Sequence, residues 1–402
     1  MSLLPVDEAL ARLLSGAKPT GTEQVGIAVA DLRVLAEPMA ATRTQPPWAT
    51  SAMDGYAVRA SDVESDTSLR VIGSAAAGAR FDGTLNAGEA VRIFTGAPLP
   101  DGADTIVIQE NVARDGDTIR VPATEAGRFV RPRGMDFSEG DALLDAGRVL
   151  TPARVALAAA MGHATVPVRR KPRFAILSTG DELVLPGENV GPDQIVASNN
   201  FGVAAMLRMA GAEATDLGVA PDDRKIIAAK LAQAVEAGAD AVVTTGGASV
   251  GDHDHMQDVL ADLGVEMGFW KIAMRPGKPL MFGRRGEQSF IGLPGNPVSA
   301  IVCARLFLVP LARALLGVQQ AEEPDHAVLG REMPENDHRQ DYVRARLAIE
   351  NGLHVAHPFS RQDSSMLATL GRTDVLVVRP PHAPKADAGE PCRYVSLLPS
   401  ID

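Results

Sequence analysis

Aromatic residues make up only 4% of this 402-residue chain, with 2 tryptophans and 3 tyrosines. That scarcity argues against a stacking platform for single-stranded nucleic acid. Cysteine occurs twice, at Cys303 and Cys392, and never in a Cys-x-x-Cys spacing. A cysteine-built zinc site or iron–sulfur cluster is excluded, and a reducing compartment is expected. Basic charge is in deficit: 39 Lys and Arg face 50 Asp and Glu, for a net charge of −11. So acidic a chain binds nucleic acid and anionic membranes poorly, and an anionic ligand must meet a local cluster of cations. The N-terminus lacks the basic and apolar regions of a secretory signal. The longest mostly apolar stretch, Val298 to Leu316, is interrupted by Arg305, Pro310 and Arg313. It reads as a buried core helix and not a membrane span. A cytoplasmic protein is the expectation.

Hydrophobic residues supply 46% of the chain, enough for several cores, and the length suits about two to four domains. Leu10, Leu13 and Leu14 recur at helical spacing before Gly16. From Trp48 to Arg133, short β-prone runs (LRVIGS, AVRIFTG, DTIVIQ, DTIRVPA) alternate with turn signals, predicting a small β-domain or barrel. Thr151-Pro152 opens a helix that Gly162 stops. After Phe174 the rhythm changes. Apolar strands (FAILS, DAVVTT, SFIGL) alternate with helices, predicting a parallel sheet covered on both faces. From about Glu322 the pattern reverts to strands (YVRARLAIE, DVLVVRP, CRYVSLLP), predicting a second small β-domain.

Ligands of open parallel sheets bind at the carboxyl ends of strands. Four polar, Gly- or Pro-rich loops are predicted there: Thr179–Glu182, Gly246–Asp252, Arg275–Pro279 and Pro294–Pro297. Glycines 246, 247 and 251 let backbone amides approach an anion, and Ser249 adds a hydroxyl. The loop lacks the Lys-Ser/Thr ending of a nucleotide-binding P-loop. Asp181, Glu182, Asp252 and Asp254 are hard oxygen donors suited to Mg²⁺. Helix capping explains one of the last two but not the set. His253 and His255 sit at a spacing that shares no helix face, and read as solvated turn residues. Lys271, Arg275 and Lys278 form a basic group for a small oxyanion or phosphate, or a plain surface ion-pair patch. The N-terminal segments 51–56, 93–98 and 131–136 combine turns with charged or hydroxyl side chains.

The strings PPWATSAMDGYAVR, IFTGAPLPDGADTIV, RPRGMDF, LSTGDEL, TTGGASVGDHD, RPGKP and LPGNPVSA together resemble the molybdopterin molybdenumtransferases, which include the E-domain of gephyrin. The resemblance spans nearly the whole chain. It implies an elongated homodimer of multidomain α/β plus β subunits. Residues 1–45 with 138–170 would form an N-terminal dimerisation domain and 46–137 an inserted β-domain. Residues 171–323 would form a molybdopterin-binding α/β domain and 324–402 a C-terminal β-barrel. The implied reaction inserts molybdenum from molybdate into adenylylated molybdopterin and releases AMP, with Mg²⁺ required. Carried over by motif, Asp54, Thr95, Arg131 and Asp136 complete the site across the dimer interface. Glu182 and Asp252 serve substrate and Mg²⁺, as does either Asp222 or Asp223. Gly246, Gly247, Ser249, Pro294, Asn296 and Pro297 line the substrate site. Lys271, Arg275, Lys278 and Ser299 fall in the oxyanion region, and Arg344 with Ser364 or Ser365 are their partners from the barrel. The family often has Lys where this chain has Arg275.

Two other readings compete. An adenylyltransferase acting on molybdopterin and ATP would resemble 171–323 alone and would consume ATP. A peptide-binding scaffold would release no AMP.

Overall fold

The computed structural model describes residues 3–246, 256–318 and 324–399. Its centre is a six-stranded sheet in the order Glu213–Ala220, Arg173–Thr179, Ala241–Thr245, Gln288–Leu293, Met281–Arg285, Glu266–Phe269. The first four strands are parallel; the last three of them are mainly apolar runs buried on both faces, whereas Glu213–Ala220 at the sheet edge is partly exposed. Alternate side chains divide between two cores. Phe174, Ile176, Ala241, Val243, Ile291 and Leu293 face the helices Asn199–Met209 and Pro297–Leu315. Ala175, Leu177, Val242 and Phe290 face Arg224–Glu236 and Met256–Asp262. The expectation of a parallel sheet needs one correction: Met281–Arg285 runs antiparallel to both of its neighbours, Gln288–Leu293 and Glu266–Phe269. Arg285 pairs with Gln288, so only two residues join Met281–Arg285 to Gln288–Leu293, too few for a parallel crossover. Gly286 supplies the positive φ of +59° that the turn requires.

The Pro297–Leu315 helix has the length and hydropathy to cross a bilayer, but 78% of its apolar window is buried inside the protein. It widens to a π-helical turn over Ala304–Leu308, just before Pro310, which has no N–H to donate. Both cysteines are buried and unbridged.

The first helix, Val6–Leu14, departs from the expected 1–45 division. Its buried stripe, Val6, Ala9 and Leu13, joins the α/β core. Leu4 bridges Ile272, and the Arg284 guanidinium donates to the Leu13 carbonyl at 2.6 Å. A nine-residue amphipathic helix has little stability alone, so it settles where its stripe finds a core. The remaining N-terminal elements form a separate core from the Thr22–Gly26/Thr165–Arg169 pair and the Pro152–Ala160 helix. Thr151 caps that helix by accepting from Arg154 N–H at 3.4 Å.

Between these segments lies a six-stranded sheet running from Thr105–Ile108 through Gly55–Val58, Glu89–Ile93, Thr67–Ala75 and Thr118–Val121 to Ala113–Asp115. Its end strands do not pair with each other, so it is an open sheet with a core on each face. The chain enters and leaves this region side by side, where Gln45 N–H donates to Phe137 O at 2.9 Å.

The C-terminal region closes into a five-stranded barrel. Gln340–Glu350, Leu353–Pro358, Asp325–Leu329, Pro391–Ser396 and Val375–Arg379 follow in order, and Val375–Arg379 returns to pair with Gln340–Glu350. Closure leaves few open strand edges. Met274–Arg275, from the α/β region, adds to the barrel in parallel register with Gln340–Asp341.

Candidate active site

A cavity of about 740 Å³ opens at the carboxyl ends of the parallel strands. Ser178, Thr179 and Gly180 end one strand, Thr245 and Gly246 the next, and Pro294–Pro297 follow a third. Asp222 reaches it from beyond Ala220. Thr179 and Thr245 are buried side chains. Ser178 and Thr245 share a hydroxyl hydrogen bond of 2.9 Å, whereas Thr179 Oγ1 is buried with no partner. A buried hydroxyl left unpaired at a cavity wall suits a polar ligand. Gly246 has φ +89°, and a Cβ there would sit 2.3 Å from the Thr179 carbonyl oxygen. Only glycine fits this approach.

Glu182 lines the same cavity and folds its carboxylate back over Gly180, where an added Cβ would meet Oε2 at 2.4 Å. The choice between Asp222 and Asp223 is separated by geometry. Asp223 caps the Arg224–Glu236 helix, accepting from Lys225 and Ile226 N–H at 2.8 and 3.0 Å. Asp222 lines the cavity, and its backbone N–H donates to Asp181 at 3.1 Å. Gly247, Ser249 and Asp252, with Asp254 and the two histidines, lie outside the described residues.

The barrel adds a wall. Ser365 lines the cavity, and Asn296 Nδ2 donates to Ser364 Oγ at 3.0 Å. Val298 N–H donates to the Ser364 carbonyl at 3.1 Å. Arg344 is 1% exposed and does not face the cavity as a loose cation. Its guanidinium donates to Gln362 Oε1, Asp363 O and Met366 O, at 3.3, 3.0 and 3.3 Å, and so shapes the loop carrying both serines. Burial pushes its pKa down. Ser299 is buried in the Pro297–Cys303 helix.

The Arg275–Pro279 loop does not follow a strand through Trp270, as expected. That strand ends at Phe269, and Met274–Arg275 is a separate short strand on the barrel. Pro279 lines the cavity. Lys278 is exposed, with no ion pair among the described residues. Arg275 instead engages Asp341 and Asn336 of the barrel. Lys271 is half-buried, and its carbonyl accepts from Leu4 N–H at 3.2 Å.

A segment that sequence patterning missed forms another wall. Leu183–Val184 and Ile195–Val196 pair in parallel, and Leu183, Ile195, Val196 and Ala197 line the cavity. Ile195 remains 58% exposed, an apolar surface facing a polar floor. Two-residue strands within a Pro- and Gly-rich stretch leave no periodicity to read.

The N-terminal candidates assemble elsewhere. Asp54 accepts from the Thr95 N–H and hydroxyl, both at 2.8 Å. These bonds, helped by Arg92, hold its carboxyl below the usual range. Arg131 and Asp136 line a second cavity of about 550 Å³ with Trp48, Gly96 and Met135. The two cavities share no lining residue. Met53, Trp48, Phe94 and Met135 stand exposed around this second group.

The fold and cavity define a multidomain α/β ligand-binding protein with an N-terminal β insertion and a C-terminal barrel. Comparison with known proteins makes this specific. The MoeA N-terminal region (domain I and II) matches residues 4–162, the probable molybdopterin binding domain 175–314, and the MoeA C-terminal region (domain IV) 326–397. A molybdopterin molybdenumtransferase of Nostoc sp. is 38% identical, over 89% of this chain and 85% of its own length. That of Haemophilus influenzae is 35% identical, over 96% and 97%. A crystal structure of the Pyrococcus horikoshii molybdopterin biosynthesis moeA protein superposes with a TM-score of 0.85, at 29% identity, over 98% of this chain and 100% of that one. The chain belongs to the molybdopterin molybdenumtransferase family, a family of transferase enzymes.

Proposed function

We propose that this protein inserts molybdenum from molybdate into adenylylated molybdopterin, releasing AMP and completing the molybdenum cofactor in the cytoplasm. One observation carries the reading most. A single cavity at the strand ends brings two carboxylates, an unpaired buried hydroxyl, small polar side chains and the Lys278 loop together. Its volume lies within the range of ordinary ligand sites.

Molybdate is a compact dianion. In this reading the exposed Lys278, next in sequence to the cavity-lining Pro279, supplies a cation, while Asn296 and Ser365 supply hydrogen-bonding groups. The strand-end backbone at Gly246 lets the ligand approach closely. The apolar wall of Ile195 and Val196 limits water around the reacting groups. Cleavage of the adenylate forms a P–O bond from water as the phosphoanhydride P–O bond breaks, so that AMP leaves with charge on its phosphoryl oxygens and the other phosphate stays on molybdopterin.

The donor set suits Mg²⁺: Glu182 and Asp222 line one cavity, and Mg²⁺ takes one or two carboxylates and keeps water. With Asp252, they would hold the ion. When bound, it would neutralise charge on the phosphoryl oxygens. The second group (Asp54, Thr95, Arg131 and Asp136) belongs in this reading to a composite site in a homodimer, each subunit completing the cavity of the other. Exposed apolar side chains around that group support this.

The test supplies purified protein with adenylylated molybdopterin and molybdate, with and without Mg²⁺. Mg²⁺-dependent AMP release with molybdenum in the pterin is expected. ATP consumption, or no AMP at all, defeats the reading.

A further inference from the structure

The basic loop beside the cavity carries two cations, and their surroundings are opposite. Lys278 is exposed, with no side-chain partner among the described residues. Arg275 is surrounded by barrel groups. It donates to Asp341 and, at 3.3 Å, to Asn336 Oδ1, while Asp337 lies at 3.6 Å. These acceptors are themselves held. Asn336 Nδ2 donates to the carbonyls of Arg339, Arg379 and Pro380, at 2.8, 3.1 and 2.9 Å. Asp337 is fixed by Arg339 at 2.7 Å. Asp341 is 8% exposed, and its other oxygen, Oδ1, is buried without a partner.

The backbone joins at the same point. Met274 and Arg275 stand in parallel register with Gln340 and Asp341, and Gln340 N–H donates to Ala273 O at 2.9 Å. Just beyond, the loop presses on the core helix: a Cβ on Gly277 would meet Cys303 Sγ at 2.4 Å. A shift of the barrel is therefore transmitted to the loop that carries Lys278.

We propose that Arg275 is a positioning residue: by engaging Asp341 it docks the C-terminal barrel against the 276–279 loop, and Lys278 serves as that loop's cation for the oxyanion. The anion in this statement rests on the proposed function; the docking does not. Carboxylates beside a guanidinium repel an approaching dianion. The barrel groups engage both terminal nitrogens, Nη2 with Asp341 and Asn336 and Nη1 facing Asp337, a spread that a lysine ammonium at 275 does not reproduce.

Asp341→Asn, Arg275→Ala, Arg275→Lys and the double variant of the first two test it. Burial raises the Asp341 pKa despite the Arg275 contact, and Asp341→Asn removes the charge while keeping the size of the side chain. Amide hydrogen exchange on the free protein reads docking without any ligand. Both Asp341→Asn and Arg275→Ala are expected to speed exchange at the Gln340 amide and across 273–280. Molybdate Kd and KM should rise about tenfold in each with kcat at saturation retained, and the double variant should be no weaker than either single one. Arg275→Lys should stay weak, because one ammonium does not span Asp341, Asn336 and Asp337 together. The proposal is overturned if Asp341→Asn binds molybdate as tightly as wild type, or more tightly, while Arg275→Ala loses it. That pattern makes Arg275 a direct ligand. Unchanged exchange in both variants overturns it as well. If wild-type protein binds no molybdate, the proposed function fails and exchange alone decides the docking.

Discussion

Two cavities of this chain, at the strand ends and near Arg131, are built by different means. The strand-end cavity has its floor on buried backbone: three parallel strands terminate together, and the close approach of Gly246 to Thr179 defines its shape. The cavity near Arg131 is made from turns and prolines, with Trp48 and Met135 standing exposed at its margin. Among the described residues, the first draws its walls from the α/β region and the barrel of one chain, including the barrel serine. The second offers charged and apolar groups with little to enclose them. Architecture thus separates a site floored by buried strand ends from a more open surface, which the proposed homodimer would cover. Preformed sites tolerate few backbone changes, whereas covered surfaces depend on their partner.

The sharpest way to break the first cavity is Gly246→Ala. Its Cβ would clash with a backbone oxygen at 2.3 Å, at a φ unfavourable to side chains. A stability loss of about 2–4 kcal/mol is expected, read by urea denaturation, together with loss of AMP release. A variant of wild-type stability and turnover would show that the floor is not rigid.

Next in size is a pairing of variants that tests whether the cavities cooperate. Lys278→Ala and Asp54→Ala should each lower turnover about a hundredfold. Co-refolded in equal amounts, they should recover about a quarter of wild-type activity, because half of the dimers carry one intact composite site. No recovery would mean that the two cavities do not combine between subunits.

Within the first cavity, neighbouring aspartates should diverge. Asp223→Ala should cost about 1 kcal/mol of stability through the lost helix cap and leave Mg²⁺ dependence unchanged. Asp222→Asn should raise the Mg²⁺ concentration needed for AMP release with little change in stability. A swap of these outcomes would reverse the assignment.

The smallest effect concerns pH at the second cavity. The Asp54 pKa is lowered in the folded protein from 3.8, chiefly by the two Thr95 bonds. Its contribution to stability is therefore fully present above that value and is lost as pH falls through the lower folded value. Asp54→Asn should lower stability in the neutral region, where that contribution is present, and converge with wild type as pH falls below 3.8, as followed by thermal unfolding against pH. An unchanged acid limb would show that Thr95 does not hold a carboxylate there.

Much of the α/β region was legible because apolar runs of strand length alternate with capped helices. The Asp223 cap, the Gly162 stop and the strand ends before Thr179 and Gly246 are local signals. The apolar walls at Leu183 and Ile195 were not legible, since their strands have two residues each. The antiparallel pair at the sheet edge also needed the structure, because an apolar strand pattern does not state direction. The hydrogen-bond partners of Arg275 and Arg344 were not legible for the same underlying reason: a sequence shows a charge but not its partner.

The chain's order of apolar runs, glycines and caps determined by itself that an α/β unit would form and where its ligand-facing loops would fall, because those features act over a few residues. Tertiary structure alone decided that Val6–Leu14 joins the α/β core, that Asp222 rather than Asp223 meets the cavity, and that Arg275 faces Asp341. Burial and ion pairing join residues far apart in sequence, so their outcome exists only once the chain has folded.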